Sequence, residues 1–217
     1  MRICHISDTH GIYNNELESG DLLIHSGDGL LFGKLHEVYD LAKWFKWQDY
    51  RWKIFVPGNH DIVFEHMYPV CKKIMGDAGV IVLKNESFID SGILGLNVRI
   101  WGSPYTKEFM NWAFMLPESK LALIWDTIPK GTDIVITHGP PNTILDNCSK
   151  PGDPPIHAGS VSLLNKILEI RPKYHLFGHI HVSKGYMYTE GINFYNSSVV
   201  RDTLELNSEP NYFNYEE

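Results

Sequence analysis

The chain has 217 residues, 43% of them hydrophobic, and a formal net charge of -7. That is apolar material enough for one sizeable core, and a single domain over residues 1–217 is the simplest organisation. Acidic and basic residues are mixed along the chain with no basic run, which argues against a nucleic-acid polymer as ligand, because backbone binding needs clustered lysine and arginine; a small phosphate compound held by metal stays open.

Residues 2–7 read as a first buried strand, and Asp8-Thr9-His10-Gly11 as the loop leaving it. Residues 21–26 form a second strand, ending in Gly27-Asp28-Gly29. From 35 to 47 the apolar residues Leu35, Val38, Leu41, Ala42 and Phe45 recur at three- and four-residue steps, the spacing of an amphipathic helix. Residues 52–56 are a third strand, stopped by the turn signal Pro57-Gly58, and they present Asn59, His60 and Asp61 in succession. Residues 67–76 read as a weak helix. Residues 80–83, 87–89 and 93–101 read as three strands of a meander, separated by Asn, Asp and Gly turn signals. The stretch 102–114 is aromatic-rich and irregular, and 117–125 is a helix with Pro117 in its first turn.

Residues 133–137 are another strand, followed by His138-Gly139-Pro140-Pro141, which cannot continue it. Residues 142–159 are a long loop around Pro151-Gly152-Asp153-Pro154; loops of this length without periodicity are lids or disordered. Helix returns over 160–170, with Ser160 or Gly159 as its cap and Val161, Leu164, Ile167 and Leu168 on one face. A strand over 174–177 ends in Gly178-His179-Ile180-His181, and short strands follow near 185–188 and 192–195. The polar and aromatic tail, 208–217, has no assignable period.

Cys4, Cys71 and Cys148 are odd in number and lack CxxC spacing, so no disulfide framework is expected and a reducing cytosol is the default. Residues 1–7 run at once into Asp8 without the apolar core, about 7–15 residues long, of a signal peptide. Nor does any segment approach the roughly 20 apolar residues of a membrane span. The expectation is a soluble cytoplasmic protein with no membrane partner. Nothing in the sequence sets an oligomeric state.

Five loops, each after a strand, then stand out: Asp8-x-His10, Gly27-Asp28, Gly58-Asn59-His60-Asp61, His138-Gly139 and Gly178-His179-x-His181. Together they offer carboxylates, an amide oxygen and several imidazoles, a donor mix that suits Mn, Fe, Zn or Ni and is poor for Ca or Mg alone. Any one of these residues has an ordinary alternative as a turn or core residue; five in strand-end positions are a rare coincidence. His5, His25, His36, His66, His157 and His175 read as core or surface histidines outside the constellation. Tyr105, Trp112 and Phe114 are open to two readings, stacking on a nucleobase or filling core.

At these residues the sequence resembles the calcineurin-like metallophosphoesterase superfamily, whose blocks DxH, GD, GNH[DE], GH and GHxH occur here unbroken from Asp8 to His181. A narrower resemblance, to its metallophosphoesterase-domain-containing branch, rests on HISDTH at 5–10, DLLIHSGD at 21–28, the GSPYT and NWAF segments, and THGPP at 137–141. Some mammalian members of that branch replace the first histidine of the last block by glycine and are feeble enzymes; here His179 is kept, which favours activity. The resemblance implies an α/β protein of four αββα layers, with the five loops at one end of two facing mixed sheets. It implies two divalent ions, Mn foremost and Fe, Zn or Ni as alternatives. One would take Asp8, His10 and His181, the other Asn59, His138 and His179, with Asp28 bridging. His60 would stand over the substrate phosphate, oriented by Asp61. Asn59, His60, Trp112 and Gly159 would contact substrate. Gly27, Gly58, Gly139 and Gly178 would allow tight turns beside the metals.

The implied activity is phosphoric ester hydrolysis by a metal-bridging hydroxide, with His60 as general acid, a role worth about 10²–10⁴-fold. Small phosphodiesters, cyclic nucleotides among them, are the first substrate class. A phosphomonoesterase or protein phosphatase is second, lowered because such phosphatases carry arginine where Asp61 stands. A scaffold protein is the reading from a different class, lowered because every ligand position is filled; a nucleotide-binding protein with slow turnover stays open beside the enzyme.

Overall fold

The computed structural model describes residues 1–13, 17–89, 98–150, 152–200 and 209–215. Residues 93–97 of the expected third meander strand, Pro151 of the long loop, and residues 208, 216 and 217 of the tail lie outside the described residues.

Strands β1 (Arg2–Ile6), β2 (Gly20–His25), β3 (Tyr50–Phe55) and β4 (Ile81–Val82) pair in parallel, and β13 (Asn211–Asn214) adds to β1 antiparallel. The second sheet is built from β5 (Glu86–Ile89), β6 (Arg99–Ser103), β9 (Ile134–Thr137), β10 (Tyr174–Phe177), β11 (Gly185–Thr189) and β12 (Ile192–Asn196), in the order β11-β12-β10-β9-β6-β5, while β7 (Thr106–Lys107) and β8 (Met115–Leu116) form a parallel pair of their own. The period-2 alternation of a strand sorts its side chains between two cores. Ile3, Leu22, Ile24 and Ile54 of the first sheet meet Ile100, Ile134, Ile136 and Leu176 of the second in a core between the sheets. Their alternate neighbours Cys4, Leu23 and Phe55 face outward onto helices α1 (Leu35–Trp47), α2 (Ile62–His66) and α3 (Tyr68–Asp77), through Val38, Leu41, Phe45, Phe64 and Met75. Trp101, Val135, Phe177 and Phe194 face the other way, onto α4 (Glu118–Trp125) and α5 (Val161–Ile170), through Leu121, Trp125, Leu163 and Ile167. The result is the expected helix–sheet–sheet–helix stack. Strands buried on both faces explain the near-continuous apolar runs of β2, β9 and β10.

The meander is not found. β4 extends the first sheet beside β3, whereas β5 pairs antiparallel with β6 in the second, so the chain changes sheets between Val82 and Glu86. Turn residues mark a change of direction but not which sheet receives the next strand. α2 is too short to show a period, and the tail places β13 against β1.

The long loop carries no helix or strand among its described residues. Its own hydrogen bonds hold it: Asp146 accepts from the N–H groups of Thr143 and Gly159, both at 3.0 Å, and sits 2.7 Å from His157 Nδ1. Ser160, not Gly159, caps α5, its Oγ accepting from Leu163 N–H at 3.1 Å.

Candidate metal centre

The five loops leave the C-terminal ends of β1, β2, β3, β9 and β10, the edge where α/β sheets gather their chemistry. Backbone hydrogen bonds stitch them together: Asp8 N–H to Gly27 O (2.9 Å), His10 N–H to Asp28 O (2.9 Å) and Gly178 N–H to His138 O (3.0 Å). Asp8, His10, Asp28 and His179 all hold positive φ, at 56°, 46°, 54° and 68°. Each such non-glycine residue costs of order 1–3 kcal/mol, and backbone strain of this kind gathers at functional sites.

Of the flanking glycines only Gly27 has positive φ, at 111°. Gly58, Gly139 and Gly178 are needed for closeness. A Cβ on Gly58 would strike Asp28 and lie 2.7 Å from His138 Cε1, and one on Gly178 would strike Asp8 and Ser7. The tight-turn expectation holds at Gly27; at the other three the backbone serves as a cradle.

Two groups of side chains result, joined by a third, His10, Asp28 and His60, whose ligand atoms are equally close. Asp8, His10 and His181 bring ligand atoms within 4.8 Å of one another, as do Asp28, His138 and His179. In the first, His181 Nε2 is 3.2 Å from Asp8 Oδ1 and 3.3 Å from His10 Nε2. In the second, His138 Nε2 is 2.8 Å from Asn59 Oδ1 and 3.4 Å from Asp28 Oδ2. Asp28 Oδ2 also lies 4.0 Å from His10 Nε2, between the groups. The carbonyl of Ser26 takes the Nδ1–H of His138 at 3.0 Å, which leaves Nε2 with a lone pair aimed at two oxygens. Three acceptors facing one another require a proton or a cation among them. The donor set of carboxylates, imidazoles and one amide fits divalent transition ions.

Without a cation, protons must do this work. Burial pulls His138 down, but the Asp28 carboxylate outweighs it and the imidazole is pushed up to about 9. Burial would raise Asp8 and Asp28; hydrogen bonding and charge from His181 at Asp8, and from His138 at Asp28, hold both carboxyls well below the usual range. His179 is pushed down to about 4 by burial and by the neighbouring charge of His138.

His60 joins at the edge. Its backbone N–H donates to Asp28 Oδ1 at 2.7 Å, its ring centroid is 4.6 Å from that of His10, and its Nδ1 is 3.1 Å from the Leu31 carbonyl. The Trp112 ring lies over it, 4.4 Å between centroids at 30°. Asp61 does not orient this ring. Its carboxylate is wholly buried and accepts backbone N–H groups of Gly58 (2.7 Å), Leu30 (2.8 Å) and Gly29 (3.4 Å), bracing the turns around Asp28 and His60. The Leu31 carbonyl takes the place expected for Asp61.

Among the other candidates, Phe114 is wholly buried and stacks edge-on with Tyr105, so both are core, whereas Trp112 is 38% exposed. Gly159 gives its N–H to Asp146 and packs on the backbone of Pro141 and Asn142, which assigns it to the loop rather than to the cluster. His5, His25 and His175 are buried beside hydroxyls: Ser26 Oγ at 2.9 Å, Thr9 Oγ1 at 3.0 Å and Thr137 Oγ1 at 2.9 Å. His36, His66 and His157 are exposed. Ser198 is a supporting residue that the motifs missed, its Oγ donating to Asp8 Oδ2 at 2.8 Å. It follows β12 as the motif loops follow their strands, and that position was the available signal.

A model of the calcineurin-like phosphoesterase family matches residues 1–183. The chain is 34% identical over 213 residues to metallophosphoesterase domain-containing protein 1 of Homo sapiens, and equally so to that of Mus musculus. The alignments cover 89% of this chain and 64% of each relative, so the chain spans just under two thirds of those proteins. Among solved structures, the phosphopantetheinyl hydrolase of Mycobacterium tuberculosis superposes with a TM-score of 0.63 at 15% identity, over 91% of this chain and 88% of that one, a likeness of fold. The strand-end cluster, the four-layer stack and the family match agree: the chain belongs to the calcineurin-like phosphoesterase family.

Proposed function

We propose that the protein is a binuclear-metal phosphodiesterase of the cytoplasm, acting on small phosphodiesters with cyclic nucleotides among them. The observation that carries this is the convergence of seven donor side chains on two adjoining points, with His60 at their edge. Asp8, His10 and His181 would hold one ion, Asn59, His138 and His179 the other, and Asp28 both; Mn is the first choice, with Fe, Zn or Ni compatible with the donors. When bound, such ions supply Lewis acidity toward phosphate oxygens and lower the pKa of water.

The remaining work belongs to the chain. With Nδ1–H given to the Leu31 carbonyl, His60 has Nε2 left to hand a proton to the departing alkoxide. Trp112 covers the ring and limits its rotation. Asn59 and His60 would meet the phosphate. Asp61 fixes their turn through its three backbone bonds. No guanidinium faces the cluster among the arginines whose partners are defined: Arg2 binds Glu18, Arg99 the Lys130 carbonyl and Arg171 Glu190. A singly charged diester needs less cationic help than a monoester dianion, which favours the diester. Free thiols at Cys4, Cys71 and Cys148 fit the cytoplasmic setting, and no helix among the described residues is long and apolar enough to cross a membrane.

The test is a paired assay in Mn²⁺ of bis-p-nitrophenyl phosphate against p-nitrophenyl phosphate, for wild type and His60→Ala. The expected result is diester preference, with turnover in His60→Ala reduced by about 10²–10⁴-fold while metal content is kept. Equal or better monoester hydrolysis would refute the diester reading, and unchanged turnover in His60→Ala would remove the general-acid role.

A further inference from the structure

β11 is the last strand of the second sheet on its side, and its outer edge is open. Its one strand neighbour among the described residues is β12, and no backbone hydrogen bond outside that ladder involves residues 185–189 there. The hairpin fixes which groups point outward. Glu190 and Gly191 join β11 to β12 with φ of 53° and 78°, the two-residue loop that sets a hydrogen-bonded pair at Thr189 and Ile192. Such pairs alternate along a ladder, so Met187 and Gly185 also bond inward, to Phe194 and Asn196. The N–H and C=O groups of Tyr186 and Tyr188 therefore point away from the sheet.

The devices that blunt an exposed edge are missing here. The strand reads Gly-Tyr-Met-Tyr-Thr, with no charge, no proline and no bulge. It also overhangs the first sheet. Tyr195 of β12 stacks on Phe213 of β13, 4.7 Å between centroids at 10°, and β13 is the last strand of the first sheet on that side. Tyr186 reaches Tyr195 at 4.7 Å, and its hydroxyl is fixed on Asn193 Oδ1 at 2.9 Å. Yet Tyr186 and Tyr188 are 53% and 64% exposed. Two aromatic rings beside a row of outward backbone groups are a template for one more strand.

The charges at its two ends say which strand. Lys184 precedes β11 and Glu190 follows it. The Lys184 ammonium donates to the Glu209 carbonyl, a neutral acceptor, and Glu190 meets Arg171 at 3.6 Å in an exposed pair. In an antiparallel pair centred on Met187, Lys184 faces Glu190 of the other copy and Tyr186 faces Tyr188, each contact occurring twice. That register overlaps the whole strand and sets the outward groups of Tyr186 against those of Tyr188. A slip of two residues either way leaves one charge unmatched, and a parallel in-register pair sets Lys184 against Lys184.

We propose that the protein forms a two-fold dimer through β11, which pairs antiparallel with its counterpart in a second copy of this chain and joins the two six-stranded sheets into one. β11 runs against β12 and β10, so its Gly185 end is the end where the candidate metal centre lies. The two centres then open at opposite ends of the joined sheet, and neither completes the other.

Sedimentation over a range of concentrations tests the assembly, in a Cys148→Ser background because that thiol is exposed. The expected result is a mass approaching two chains for the parent and for Tyr188→Phe. Tyr188→Lys and Glu190→Lys should associate about tenfold more weakly or worse, with urea midpoints near the parent's at concentrations where all are monomers. Mild oxidation reads the register. Met187→Cys should cross-link to its counterpart, because non-hydrogen-bonded partners lie about 4.5 Å apart at Cα, within disulfide range. Tyr186→Cys, about 7–8 Å from its counterpart, should not. A chain that stays monomeric, its edge solvated or kept for a strand of another protein, overturns the proposal. So does a dimer untouched by both lysine variants, and cross-linking at Tyr186→Cys in preference to Met187→Cys overturns the register.

Discussion

Replacing Asp28 separates the charge of the cluster from the backbone that carries it. Its Oδ1 is the acceptor for His60 N–H at 2.7 Å, its Oδ2 lies 3.4 Å from His138 Nε2, and its φ is 54°. Alanine there leaves a buried N–H unmet, at about 1–3 kcal/mol, and lacks the short polar side chain by which Asp and Asn tolerate the left-handed region. Asparagine keeps an oxygen for His60 and tolerates that conformation, losing only the charge. Metal-free Asp28→Ala should therefore be about 1–3 kcal/mol less stable than wild type by urea unfolding. Asp28→Asn should stay closer to wild type. In both, the second ion loses an anionic ligand, so metal analysis after desalting should find fewer than two ions per chain and diester turnover should collapse. Two tightly held metals in Asp28→Ala would refute the shared-ligand assignment, and equal stability of the two variants would refute the role given to the His60 N–H bond.

The glycine cradle predicts that Gly178→Ala, whose Cβ would strike Asp8 and Ser7, loses at least about 10–100-fold in metal affinity by titration. Gly76→Ala, with open space around its Cβ in α3, should gain up to about 1 kcal/mol of stability; similar behaviour of the two would contradict the close-approach argument. The pH dependence of the EDTA-treated protein follows from the buried groups. His138, raised to about 9, contributes stability that is complete below its ordinary 6.5 and lost as pH rises through about 9; Asp61, pushed up to about 8 by burial and the Asp28 charge, adds to the alkaline loss. His25 and His175, both held near 3 by burial, stay neutral in the fold while the unfolded chain takes protons, so stability also falls from 6.5 downward. Urea unfolding should give a maximum near pH 6.5, and a flat profile between pH 6.5 and 9 would contradict the His138 assignment.

Much of the fold was legible because its strands are either continuous apolar runs or end in chemically conspicuous loops. The helix over Leu35–Trp47 and the strand over Tyr174–Phe177 occupy the spans that periodicity predicts. The meander failed for a physical reason: β4 finds its partner in β3, by long-range pairing that turn residues cannot encode. The centre was legible in its ligand types and missed in its supports. Which group holds His60 depends on where the Leu31 carbonyl and the Asp61 carboxylate come to rest, and both are set by packing of the Gly29–Leu31 segment.

The most direct measurement is the metal content of the purified chain set against diester hydrolysis through removal and return of the ions. The account predicts close to two Mn²⁺ per chain after loading, loss of bis-p-nitrophenyl phosphate hydrolysis when EDTA strips them, and recovery on adding Mn²⁺ back. Hydrolysis that persists in the stripped protein, or full activity with a single ion per chain, would contradict it.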